Sequence, residues 1–216
     1  MGIHTQTITL EDAGTTALFF SKWEIKKQLS MQASIEPDDM FAHTASINGT
    51  KVTADGRPYE AFPAVYTASV QTSKWIKAKP VKLTPENEKA SFTYTPAPEL
   101  KGIVQKALNK VVDEVAAKPT DDDAYDWLHR GMIYWSDNYS NVTAKVVKYP
   151  TIGDISIENK EFRLELSDEG KMHYEYDRNF LGTIQHEKDD YSIGFGWSIY
   201  ANFTIDDNGN VTFSES

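Results

Sequence analysis

Apolar side chains recur at every second position in several stretches of this chain, and at every third or fourth position in a central segment. Across residues 193–205 every odd-numbered residue is apolar: Ile193, Phe195, Trp197, Ile199, Ala201, Phe203 and Ile205. The positions between them are small or polar apart from Tyr200. Side chains alternate between the two faces of a strand, so the run predicts one long strand with a single greasy face. Gly194 and Gly196 mark where so long a strand bends. The turn signal Asp206-Asp207-Asn208-Gly209-Asn210 follows, Val211 and Phe213 resume the pattern, and together they predict a β-hairpin.

A second long alternation covers residues 19–35, with Phe19, Trp23, Ile25, Leu29, Met31, Ala33 and Ile35 on odd positions. Its apolar face is interrupted at Ser21 and Lys27, which predicts two strands or one bent strand. Residues 3–10 read as a first strand. Residues 41–47 and Val52 flank Asn48-Gly49, a pair that accepts the positive φ angles of a type I′ turn, so a second hairpin is expected there. Asp55-Gly56 marks a turn, Ala64, Tyr66, Ala68 and Val70 a strand, and residues 74–78 and 92–95 weaker ones. Pro80, Pro85, Pro96 and Pro98 confine their neighbourhood to edges and loops.

At residues 99–118 the period changes. Leu100, Val104, Ala107/Leu108, Val111 and Val115 predict a one-faced helix, entered at Pro98 and Glu99 and stopped by Pro119. A shorter helix is expected from Thr120 to Gly131, with Asp121, Asp122 and Asp123 against its positive N-terminal end. Strands resume at 142–149 and 152–157. Phe162, Leu164 and Leu166 then lead through a turn at Ser167-Asp168-Glu169-Gly170 into Met172, Tyr174 and Tyr176. Residues 180–186 form a last block before a polar loop at 187–190. The class is α+β, mainly antiparallel β, with two β-rich blocks flanking an amphipathic helix and a shorter one. The expected division is a near-neutral block at 1–96 and a helical segment plus acidic β block at 97–216, an arrangement that also reads as one continuous domain.

Charge sharpens that division. The net charge is −10, yet residues 1–108 carry 12 Lys+Arg against 11 Asp+Glu (+1) and residues 109–216 carry 10 against 21 (−11). Such an acidic half repels phosphate backbones and attracts a basic partner, so nucleic acid is not expected as a ligand. Absence of cysteine excludes disulfides and thiolate chemistry. No apolar stretch approaches membrane-spanning length and no signal peptide is visible, which points to a cytoplasmic protein that does not enter the membrane.

The densest unusual composition is acidic and aromatic: Asp121, Asp122, Asp123, Asp126, Trp127, Tyr134, Trp135, Asp137 and Tyr139. Rings give large contact area at low entropic cost, and carboxylates beside them select basic partners or sugar hydroxyls. These nine residues are the expected binding surface. His173, Glu175 and Asp177 share one face of a predicted strand, with Glu161, Arg163 and Glu165 expected across the turn; this reads as cross-strand ion pairing rather than a metal site. Asp206, Asn208 and Asn210 begin like a calcium loop, but Val211 stands where such a loop needs glycine. No nucleophile elbow, zinc motif or phosphate loop is present, so neither an enzyme nor a cofactor or metal is expected.

The leading reading is a non-enzymatic protein-binding module that acts on a basic partner, as a toxin-neutralising bacterial immunity protein would. A carbohydrate-binding β domain and a paired-carboxylate hydrolase are the alternatives. Long alternating strands leave edges on which subunits can pair, so a homo-oligomer stays open.

Overall fold

A computed structural model of the chain describes residues 8–16, 20–25, 30–36, 42–120, 128, 138–195 and 200–214. It is α+β and strand-rich, and divides into two compact units, Met1–Tyr94 and Thr95–Ser216. No helix among the described residues is long and apolar enough to cross a membrane.

The first unit holds β1 (Leu10–Thr16), β2 (Phe20–Ile25), β3 (Met31–Ile35), β4 (Ala42–Ile47), β5 (Thr50–Val52), β6 (Tyr59–Ala61), β7 (Tyr66–Thr72), β8 (Ile76–Ala78), β9 (Val81–Leu83) and β10 (Lys89–Ala90). The alternation at 19–35 resolves into two strands in different sheets: β2 pairs with β1, whereas β3 lies between β6 and β10. The first described strand starts at Leu10, where the pattern of residues 3–10 ends; residues 3–7 lie outside the described part. β4 and β5 form the expected hairpin, with φ of 48° at Asn48 and 82° at Gly49. They extend into the sheet β5-β4-β7-β9. Met31, Ala33 and Ile35 of β3 are buried with Ala45, Ala68, Leu83 and Ala90, forming this unit's core.

β11 (Tyr94–Pro96) straddles the division. The second unit then holds α1 (Leu100–Ala117), β12 (Tyr139–Lys148), β13 (Thr151–Glu158), β14 (Glu161–Asp168), β15 (Gly170–Phe180), β16 (Thr183–Ile193), β17 (Tyr200–Ile205) and β18 (Val211–Ser214). Two antiparallel sheets form, β12-β15-β16 and β13-β14-β17-β18. The chain passes between them three times: at Pro150, at Glu169, and between Ile193 and Tyr200. The first two crossings lie side by side, since Lys148 pairs with Lys171 before them and Thr151 with Asp168 after them, so two long neighbouring strands are creased at the same level. The crease is backbone-tight. A Cβ on Gly170 would lie 2.6 Å from Pro150 Cδ and 2.7 Å from Pro150 N.

Two expectations change here. Residues 167–170 do not close a hairpin, because β14 pairs with β13 and β17 while β15 pairs with β12 and β16. The run at 193–205 is likewise not one strand of one sheet: Ile193 ends β16, and Tyr200 starts β17 in the other. Alternation persists through a crease because both halves keep one face inward; periodicity alone does not reveal which strand lies alongside. The hairpin of β17 and β18 forms as expected, its loop held by Asp206, whose Oδ1 accepts from the backbone N–H of Asn208 and of Asn210 at 2.8 Å each.

Helix α1 buries Leu100, Val104, Leu108, Val112 and Val115. Each such side chain contributes roughly 1.5–3 kcal/mol when fully buried. Val112 takes the place expected for Val111, which is half-buried on a neighbouring stripe. Gln105 secures the crease: its Nε2 donates to the Pro150 carbonyl (2.9 Å) and its Oε1 accepts from the Ile152 N–H (2.9 Å). A single side chain thereby replaces ladder bonds lost where the strand turns away. Of the shorter helix expected from Thr120 to Gly131, only Thr120 and the buried Leu128 are described.

Candidate functional site

The β15–β16 hairpin is the most developed surface feature among the described residues. Eleven residue pairs, from Gly170↔Ile193 to Phe180↔Thr183, run in unbroken register. The polar block 187–190, expected as a loop, is thus part of β16. Charged residues form a strand here because each meets a partner on β15.

On one face the side chains interlock. Lys171 reaches Asp190 (2.7 Å), and Asp190 bonds His173 Nδ1 (2.6 Å). His173 Nε2 lies 3.6 Å from Glu175, which bonds Lys188 (2.6 Å). His186 Nδ1 bonds Asp177 (2.9 Å), and Asn141 Nδ2 donates to Asp177 (2.7 Å). The Lys188 ammonium holds the Glu175 carboxyl below its ordinary range. Asn141 and then His186 do the same for Asp177, and Lys171 and then His173 for Asp190. Glu161, Arg163 and Glu165, expected opposite, sit on β14 in the other sheet; Arg163 pairs with Glu158 and lies 3.7 Å from the Tyr200 ring centroid. No cluster of His, Asp or Glu suited to a metal occurs among the described residues.

The opposite face carries Met172, Tyr174 and Tyr176, all buried. The Tyr176 hydroxyl is shared between Asp189 and Glu187 (3.1 Å to the latter). Burial first, then these two carboxylates, pushes its pKa far above the ordinary phenol value. It therefore serves as a neutral donor that anchors two acids, not as a phenolate nucleophile.

The tip differs from both faces. Pairing with β12 ends at Tyr139↔Arg178, so residues 179–184 project past the third strand. Phe180, Leu181 and Ile184 are 55%, 90% and 70% exposed. Asn179 fixes the turn: its N–H donates to the Asn138 carbonyl (2.7 Å), and its Oδ1 accepts from the Gly182 N–H (3.0 Å). Among the described residues, three two-residue hairpin turns have positive φ at both positions. Asn48-Gly49 and Asn159-Lys160 open with asparagine, and Leu181-Gly182 opens with leucine at φ 52°. A left-handed backbone costs a residue such as leucine roughly 1–2 kcal/mol, which asparagine largely escapes.

Of the expected binding residues, Asp121, Asp122, Asp123, Asp126, Trp127, Tyr134, Trp135 and Asp137 lie outside the described part. Tyr139 is half-buried, its ring edge-on to Tyr176 at 5.4 Å. It packs on the inner face of the hairpin sheet. Sequence reasoning missed Phe180, Leu181 and Ile184 by taking 180–186 as one undivided block before a loop at 187–190. The signal was present in Leu181-Gly182, an apolar residue where a two-residue turn calls for asparagine.

Fold and site together define a β-rich α+β chain that presents a braced hairpin with an apolar tip. Neither the family models, nor the characterised proteins, nor the solved structures compared with this chain include a match.

Proposed function

We propose that the chain is a non-enzymatic protein-binding module that engages its partner with the tip of the β15–β16 hairpin. One observation carries the reading: Leu181 is 90% exposed, in a backbone conformation unfavourable to leucine, between exposed Phe180 and Ile184. An unfavourable residue at an exposed turn serves contact rather than folding. The ion-paired face and the shared Tyr176 hydroxyl stiffen the hairpin, which lowers the ordering cost on binding.

Charge selects the partner. Residues 170–193 hold three Lys/Arg and five Asp/Glu, within a half that carries −11. A protein with an apolar cleft rimmed by basic side chains fits this tip, whereas an anionic lipid surface is repelled. A cytoplasmic setting belongs to the same reading, supported by the cysteine-free composition.

The test is quantitative affinity capture from the producing cells, with wild type compared against the Leu181→Asn/Ile184→Ser variant. A basic protein retained by wild type, released by salt and reduced at least tenfold with the variant is the expected result. Equal capture by both baits overturns the reading, as does tip-dependent binding to vesicles of anionic lipid in place of a protein.

A further inference from the structure

The ion-paired face of the hairpin carries two histidines, one on each strand, and both ring nitrogens of each lie against a carboxylate. His173 Nδ1 is 2.6 Å from Asp190, and its Nε2 is 3.6 Å from one oxygen of Glu175. His186 Nδ1 is 2.9 Å from Asp177, and its Nε2 is 3.9 Å from the other Glu175 oxygen. A neutral imidazole has one N–H and one lone pair. With the N–H given to the aspartate at Nδ1, the Nε2 lone pair is left against the Glu175 carboxylate, electron pair against anion. An imidazolium has a donor at each nitrogen and suits both neighbours. The arrangement is thus complementary to the charged ring on both strands.

We infer that His173 and His186 form a proton-operated clasp on the β15–β16 hairpin, closed when both rings are charged and loosened when they lose their protons. Histidine changes charge between about pH 5 and 8. The other charged groups on this face keep theirs across that window. Lys145 stands opposite His173 on β12, Lys171 bonds Asp190, and Lys188 bonds Glu175. These ammonium groups oppose a further positive charge, whereas Asp177, Asp190 and Glu175 lie against the rings themselves and favour it. Asn141, which reaches Asp177 from β12, is neutral. The three carboxyls are held below their ordinary range and stay ionised. A proton held more tightly by the closed hairpin than by the open one favours closure while it is bound, and the gain is lost as pH rises through the histidine range. At still lower pH the carboxylates titrate in turn and the clasp fails from the other side. Its position gives it leverage. The Asp177↔His186 pair adjoins Arg178, the last residue of β15 that pairs with β12, so the clasp closes the hairpin where its third strand ends. It governs how firmly the projecting turn is held, whatever that turn binds.

The experiment is hydrogen exchange of the full chain at about pH 6 and about pH 8, on either side of the histidine range, with protection taken relative to intrinsic exchange at each pH. Amides of residues 175–188 should be about threefold better protected at the lower pH, a modest gain because these pairs are solvent-exposed. The β17–β18 hairpin contains no histidine and serves as the internal reference, which should not change. His173→Asn with His186→Asn keeps an N–H for each aspartate but takes up no proton, and should abolish the difference. Glu175→Gln offers an amide donor to the neutral Nε2 and should shrink it. If the double asparagine variant does not fold, Glu175→Gln and the wild type decide. Leu181→Asn should keep the full response, which separates the clasp from the binding role of the tip. Equal protection of the wild type at both pH values overturns the inference. So does a response that persists in the folded histidine or Glu175→Gln variants, is shared by β17–β18, or is lost with Leu181→Asn.

Discussion

At the base of the β15–β16 hairpin, Gly170 and Ile193 are buried, and glycine stands where any Cβ would strike the Pro150 backbone. At its tip, Leu181 stands in a left-handed turn and gives its side chain to solvent. The same pair of strands thus places the smallest residue where the fold demands it and a bulky one where the fold disfavours it. What separates the two ends is the use of the side chain. At the crease the absence of one lets the backbones close, whereas at the tip a side chain is displayed at some cost to the turn.

Substitutions at the two ends should therefore have opposite signs. Gly170→Ala forces a methyl to 2.6–2.8 Å from Pro150 and the Lys148 carbonyl, a clash with backbone that no rotamer relieves. Loss of about 3 kcal/mol in urea unfolding is expected; a loss under about 1 kcal/mol would show that the crease can relax. Gln105→Leu keeps the packing volume but strips both hydrogen bonds from Pro150 and Ile152, and about 2 kcal/mol should go with them. Leu181→Asn should instead stabilise the chain by about 1 kcal/mol by relieving the left-handed leucine. The same variant should weaken partner capture, so stability and binding move apart. If both fall together, the leucine serves the fold and the contrast between the ends disappears.

Much of this was legible in the chain itself, and the boundary is physical. Strands, the helix at 100–117 and the Asn48-Gly49 and 206–210 turns follow from side-chain period and turn chemistry, which are local. Pairing is not local. Residues 161–168 and 170–180 look like two arms of a hairpin, because Ser167-Asp168-Glu169-Gly170 has a turn's composition, but Gly170 serves close approach to Pro150 instead. The strand nature of residues 187–190 was hidden for the same reason: Glu187, Lys188, Asp189 and Asp190 have little β propensity and owe their place to partners on β15. The expected acidic-aromatic surface falls outside the described residues except for Tyr139, which serves packing. The tip was readable only as a violation, a leucine where the turn rule asks for asparagine.

The smallest effects are those of pH, and they distinguish the two faces of the hairpin. Glu175, Asp177 and Asp190 have carboxyl pKa values held below their ordinary range by Lys188, by Asn141 and His186, and by Lys171 and His173. A depressed carboxylate stabilises the folded state fully above its unfolded pKa, about 4, and the gain is lost as pH falls through the folded value. Protection of the β15 and β16 amides, measured relative to intrinsic exchange at each pH, should therefore fall at acid pH, and Asp177→Asn with Asp190→Asn should flatten that dependence. Solvent screening keeps the change small. Tyr176 behaves in the opposite sense. Its pKa is raised by burial and by Asp189 and Glu187, so its contribution is complete below the ordinary phenol value of about 10 and is lost at higher pH. Tyr176→Phe should remove this alkaline limb, also leaving Asp189 and Glu187 without the hydroxyl they share, while the acid limb stays. An acid limb that vanishes with Tyr176→Phe would mean that the two faces are coupled through the sheet and act as one brace behind the tip.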